Sequence, residues 1–149
     1  MDLKDKILID NNTVDFILDN EDLFVKATSR YDFFVCTSVV EELASIPDSK
    51  KDKRIKLFIT LSKFGATFIN DSCFILGYAR FGVSNLGEYK VYKEILNESK
   101  NNVRDAIIAD TAVTNNCILL TGDTGLYKKM KNLNYRVINF EEFKENTNG

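Results

Sequence analysis

Cys117-Ile118-Leu119-Leu120-Thr121-Gly122-Asp123 decides the fold. Its uncharged run over 117–121 (CILLT), closed by the turn Gly122-Asp123-Thr124-Gly125, has the form of a buried strand. Lys6-Ile7-Leu8-Ile9-Asp10, near the start of the chain, has a similar form: a short apolar run that ends on an acid. Runs of this kind, separated by stretches of helical periodicity, predict a parallel sheet covered by helices on both sides.

Working outward from these two strands, Asn11 and Asn12 suit a turn or a helix cap, and Val14, Phe16, Ile17 and Leu18 continue as a helix. A second helix is expected over 21–29. Residues 31–37 (YDFFVCT) are aromatic and β-branched and predict the next strand. Ser38 is placed to cap a helix carrying Val39, Val40, Glu41, Glu42, Leu43 and Ala44, which Pro47 ends. Residues 50–64 are helical, 66–69 form a third strand, 73–80 are helical, and Gly82, Asn85 and Gly87 mark a break before a helix over 88–99. Val103, Ala106, Ile107, Ala109, Ala112 and Val113 make a buried stripe on the strongest helix, with Asn101 or Asn102 as its cap. A lysine-rich helix over 126–132, a strand over 135–139 and a terminal helix over 140–144 complete the chain. The expected architecture is a single domain, 1–149, of α/β class. It is a three-layer α/β/α sandwich with a mostly parallel central sheet of four to five strands.

Composition narrows the functions available. A chain of 149 residues suits one core and needs no covalent staple. Hydrophobic residues at 44% and charged residues at 28% are ordinary for a globular protein. No apolar run is long enough to span a bilayer, and the polar start does not resemble a signal peptide, so a cytoplasmic protein is expected. Cys36, Cys73 and Cys117 lack CxxC spacing, which argues against zinc and for small hydrophobes in a reducing compartment. Histidine is absent, which excludes Ser-His, Cys-His and His-metal catalysis. A net charge of −2 and a pI near 5.3 argue against binding nucleic acid through overall charge, while leaving room for a basic surface beside an acidic pocket.

Four acids fall where strands end or helices begin: Asp10, Glu42, Asp105 and Asp123. In a parallel sheet the carboxyl ends of the strands converge on one edge, so acids remote in sequence meet there. Carboxylates without histidine call for a hard divalent cation, Mg²⁺ or Mn²⁺, and the accompanying chemistry is usually on phosphate. Taken singly, each acid has a plainer explanation: Asp10 as a cap, Asp105 as a charge at a helix N-terminus, Asp123 as turn chemistry. The agreement of four element ends favours a site. Glu41 and Glu42 lie about 100° apart on a helix, so only one faces the pocket. Asp110 is turned off the face of Asp105 and suits a solvated or bridging role; Asp15 and Asp19 suit solvent. Thr121 and Thr124 flank Asp123 and are candidates to hold its carboxylate or a phosphate, with local turn bonds the plain alternative. Arg104 is a candidate phosphate contact. Two basic stretches are candidates to touch nucleic acid: Lys50, Lys51, Lys53, Arg54 and Lys56, for which a solvated helix face is the favoured reading, and Lys128, Lys129 and Lys131, which follow Asp123 and start close to the pocket. Most aromatics fall in apolar periodic segments and belong to the core.

In order, "ILIDNN", "VVEEL", "RDAIIADTA" and "LLTGD" resemble the PIN domain, a family of compact metal-dependent ribonucleases that includes the toxins of VapBC-type toxin–antitoxin pairs. The resemblance runs from end to end. It matches Asp10, Glu42, Asp105 and Asp123 to the four family acids and implies Asp10, Asp105 and Asp123 as metal ligands. Glu42 would orient water or complete a second metal site, and Asn12, Thr121, Thr124 and Arg104 would lie around the acids. The family motif has a hydroxyl residue where Asn11 stands here; Asn12 is kept. An RNA substrate, an antitoxin partner, a homodimer, and products bearing a 3′-hydroxyl and a 5′-phosphate are what the resemblance implies.

Two other readings are available. "ILIDNNTV" and "TGDTG" resemble the first and last motifs of haloacid dehalogenase-type phosphatases, but Asn12 replaces the second aspartate and Asp105 is left without a role. A PIN-like domain also serves as a non-catalytic binding or scaffold module.

Overall fold

The computed structural model describes residues 3–71, 91, 93–95 and 103–149. The expected helix over 73–80, the break at Gly82, Asn85 and Gly87, most of the helix over 88–99, the caps Asn101 and Asn102, and Cys73 lie outside the described residues. Twelve principal elements are described: β1 (Asp5–Ile9), α1 (Val14–Asp19), α2 (Glu21–Ala27), β2 (Tyr31–Cys36), α3 (Thr37–Ala44), α4 (Lys51–Lys63), β3 (Thr67–Ile69), α5 (Val103–Thr114), β4 (Ile118–Leu120), α6 (Thr124–Asn132), β5 (Val137–Ile138) and α7 (Phe140–Asn148). Short 3₁₀ turns, Asn11–Thr13 and Asp48–Lys50, lead into α1 and α4.

The sheet has five strands in the order β3-β2-β1-β4-β5, and every neighbouring pair is parallel. Helices flank it in the α/β/α arrangement expected. The apolar runs that opened the argument are its centre. Ile7, Leu8 and Ile9 pair with Ile118, Leu119 and Leu120, and all but the half-buried Ile118 are buried. Because both faces of β1 and β4 are covered, neither strand alternates polar with apolar. The strands at the two margins, β3 and β5, are only three and two residues long, which limits the unpaired backbone they present.

An aromatic group packs on this frame. Phe24 contacts Phe16, Phe33, Phe64 and Phe143, and Phe16 stacks on Phe140 with centroids 4.1 Å apart. Phe68 on edge strand β3 is an exception to the aromatic core, at 57% exposure. Cys36 and Cys117 are free and buried, as small hydrophobes. Among the described residues no helix is long and apolar enough to cross a membrane.

Local boundaries differ instructively in one place. Ser38 does not cap α3: the helix begins at Thr37 with Cys36 at the cap position, and Ser38 lies in the first turn. Its backbone N–H and its hydroxyl donate instead to the carboxylate of Asp71, at 3.0 and 2.5 Å. An acid just beyond β3 thus supplies the N-terminal acceptor that the helix's own sequence lacks. Asp71 is 2% exposed.

Candidate metal and phosphate site

The carboxyl edge of the sheet gathers the singled-out residues. Asp10 follows β1 directly. Its backbone N–H donates to Leu120 O at 3.1 Å, which ties the end of β1 to the end of β4. Its side chain is wholly buried and accepts two hydrogen bonds, from Asn11 N–H at 2.7 Å and from the Thr121 hydroxyl at 2.7 Å. Thr121 Oγ1 in turn accepts from Asp123 N–H at 3.0 Å and from Asn12 Nδ2 at 3.4 Å. Asn12 Oδ1 accepts from Gly122 N–H at 2.9 Å. The two loops that carry Asp10 and Asp123 are therefore laced together by Asn12 and Thr121.

Gly122 makes this close approach possible. A Cβ there would sit 2.6 Å from Cζ and 2.8 Å from Cε2 of Phe140, whose ring is held against Phe16. Asp123 is the N-cap of α6, accepting from Leu126 N–H at 3.1 Å.

Asp105 lies in the first turn of α5, half-buried. Glu42, on α3, accepts from the side-chain amide of Asn11 and pairs with Arg104 Nη1 at 2.6 Å. Glu42 thus meets the helix bearing Asp105. Arg104, expected to face phosphate, is engaged with Glu42.

The acids act electrostatically on one another. Burial pushes the Asp10 carboxyl up to about 6; the Thr121 and Asn11 hydrogen bonds oppose this, and the charges of Asp105 and Asp123 add to it. Burial likewise raises Asp105, reinforced by Asp123 and Glu42 and opposed by Lys129 and Arg104. Of the three lysines proposed beside the pocket, Lys129 is the one whose charge offsets Asp105. Lys131 lies over the Tyr127 ring, and Lys128 is exposed. Thr124 is exposed at the start of α6.

The donor chemistry fits a hard divalent cation: oxygen ligands alone, crowded negative charge, and a buried carboxyl driven towards its neutral form. As the side chains are oriented, no three acids or cysteines among the described residues stand close enough to ligate one ion. Asp10, Glu42 and Asp123 are each turned towards protein donors. Gathering acids on an ion therefore requires these side chains to turn from those donors.

Asp110 corrects a sequence expectation in part. It is 1% exposed rather than solvated, and it bridges to Thr114 Oγ1 at 3.1 Å. Its helical face is the core-facing one, because α5 is buried on most of its circumference. Asp19 is exposed as expected, and exposed Asp15 pairs with Lys53 at 2.5 Å. Sequence reasoning missed Asn11 as a partner of Glu42 and missed Asp71 entirely. No local pattern marks Asp71, since its partner lies 33 residues away.

No family model and no curated protein matches the chain. Solved structures do. PAE2754 from Pyrobaculum aerophilum superposes with a TM-score of 0.62 at 15% identity, covering 97% of this chain and 98% of that one. VapBC2 from Rickettsia felis, solved with a DNA fragment from the promoter, gives 0.59 at 18% identity over 91% and 98%. The PilT N-terminus domain protein SSO1118 from Sulfolobus solfataricus P2 gives 0.51 at 15% identity over 95% and 92%. The chain has the PIN-domain fold. The PIN fold accounts for the five-stranded parallel sheet, and the likeness covers 91–97% of the chain.

Proposed function

We propose that this PIN-fold protein is a metal-dependent endoribonuclease that hydrolyses RNA phosphodiester bonds, with Asp10, Glu42, Asp105 and Asp123 as its acidic centre. The observation that carries the reading is geometric: at the carboxyl edge of a PIN-type sheet the buried Asp10 and the loop of Asp123 are tied together through Thr121 and Asn12, and the charges of Asp105 and Asp123 both act on Asp10. Like charges facing a buried carboxylate are costly, and a cation held among them would offset that cost.

Asp10, Asp105 and Asp123 would hold Mg²⁺ or Mn²⁺, which supplies a more acidic water and charge neutralisation at phosphate. Asp10 is pre-positioned by Thr121 and Asn11, Asp123 by its place at the head of α6, and Asp105 by the first turn of α5. Glu42, released from Arg104, would orient the attacking water and accept its proton. Arg104 and Lys129 lie beside the acids and would meet the phosphate's negative charge. Asn12 and Thr121 fix the two loops, and Thr124 and the exposed Lys128 and Lys131 extend the surface along which RNA would lie.

A toxin's role with an antitoxin partner belongs to the same reading and is suggested by the likeness to a VapBC complex; a homodimer is what the family resemblance of the sequence implies. The test is cleavage of structured and unstructured RNAs with Mg²⁺ or Mn²⁺, comparing wild type with Asp10→Asn. Metal-dependent cleavage lost in the variant supports the reading. Turnover of small phosphate esters without RNA cleavage would favour a phosphatase. No Mn²⁺ affinity and no cleavage would leave a scaffold.

A further inference from the structure

A groove of about 230 Å³ opens beside the acidic centre, between the start of α1, the end of α3 and the start of α4. Asn11 and Glu42, which are joined to each other, form one end. Val14 and Ile46, both partly buried against the core, line its apolar wall. Lys50 and Lys53 line it as well, one in the 3₁₀ turn before α4 and one in that helix's first turn. The groove thus joins carboxylate, apolar wall and ammonium groups in a space too small for a drug-sized molecule.

We propose that this groove is a nucleotide subsite for single-stranded RNA, seating the base that flanks the scissile phosphate on Val14 and Ile46 and the next phosphate on Lys50 and Lys53. The inference rests on the nuclease reading and extends it to substrate form. Two features favour RNA over a protein segment. The groove shares Glu42 and Asn11 with the acidic centre, so a strand leaving the centre enters it without a break. Its cations complement a polyanion, and they lie at the start of a basic run that continues through Lys51, Arg54 and Lys56. Lys53 already holds one anion, Asp15, at 2.5 Å, with that aspartate largely exposed. An RNA phosphate would take the place of a partner that solvent and salt readily compete for. An unpaired base is required, because a duplex keeps its base faces stacked and unable to meet Val14 and Ile46.

The experiment measures binding of a short fluorescent single-stranded RNA in EDTA, so that nothing is cleaved, across a range of salt concentrations. Wild type is compared with the Lys50→Ala/Lys53→Ala double variant and with Ile46→Ser. The double variant is expected to flatten the dependence of log affinity on log salt by about 0.7, the share of the one phosphate that Lys50 and Lys53 would neutralise together. Ile46→Ser is expected to weaken binding several-fold with the salt slope unchanged, and duplex RNA of the same sequence to bind more weakly than the single strand. Asp15→Asn, which frees Lys53, is expected to bind at least as tightly as wild type. An unchanged slope in the double variant overturns the proposal. So does a hydrogen-exchange footprint over residues 43–53 produced by a copurifying polypeptide and not by RNA. If the slope falls as expected but metal-loaded wild type cleaves no RNA, the groove stands as an RNA site and the nuclease reading fails.

Discussion

Asp10→Asn should stabilise the metal-free protein near neutral pH. In the native state burial and the charges of Asp105 and Asp123 raise the Asp10 carboxyl from 3.8 to about 6, despite bonds from Thr121 and Asn11. A carboxyl whose native pKa lies above its unfolded value favours the fold while protonated. That contribution is complete below about pH 4, declines as pH rises, and is gone above about pH 6. At about 1.4 kcal/mol for each unit of pKa, holding the ionised group costs the native state about 3 kcal/mol. Asparagine removes the charge at nearly constant volume. Its single side-chain oxygen can keep one of the two accepted hydrogen bonds, and losing the other costs about 1 kcal/mol. The net gain is about 2 kcal/mol, or roughly 4–8 °C in Tm for a chain of this size. Denaturant titration in EDTA at a series of pH values checks it. The gain should be present above about pH 6 and vanish below about pH 4. A variant that loses stability at neutral pH, or whose gain does not change with pH, refutes the electrostatic argument.

Other outcomes follow from single contacts. Asp123→Ala should lower stability by about 1 kcal/mol through loss of the α6 cap, whereas Asp123→Asn should keep the cap and still lose activity; thermal melts and RNA cleavage separate the two. Gly122→Ala should cost about 1–3 kcal/mol because its Cβ meets a Phe140 ring already stacked on Phe16, and a pseudo-wild-type melt contradicts that packing. Arg104→Gln should change stability by less than about 1 kcal/mol, the ion pair with Glu42 being part-exposed, yet should tighten Mn²⁺ binding by removing a competing cation from the site.

The parts of this architecture legible in the sequence are those governed by local pattern. β1 and β4 announce themselves because a strand buried on both faces must be apolar throughout, and α5 does so because its stripe is long. Asp10 and Asp123 were legible because a strand end is marked by the residue that closes it. The parts that were not legible depend on partners distant in the chain. Asp71 reaches the head of α3 across 33 residues, and Asn11 reaches Glu42 across 31. Of the two roles open to Asp110, solvated or bridging, the structure shows the bridging one; its angle from Asp105 does not distinguish them, because the choice depends on α5 being buried on most of its faces. The engagement of Arg104 with Glu42 was likewise invisible, since α3 and α5 meet only in three dimensions.

Titration of Mn²⁺ into the wild-type protein and its Asp10→Asn and Asp105→Asn variants, followed by calorimetry, bears most directly on the acidic centre. Saturable binding near neutral pH that weakens by about tenfold or more in each variant is the expected result. Heats that never saturate, or equal affinity in all three proteins, would contradict the claim that these carboxylates are assembled to hold a metal ion.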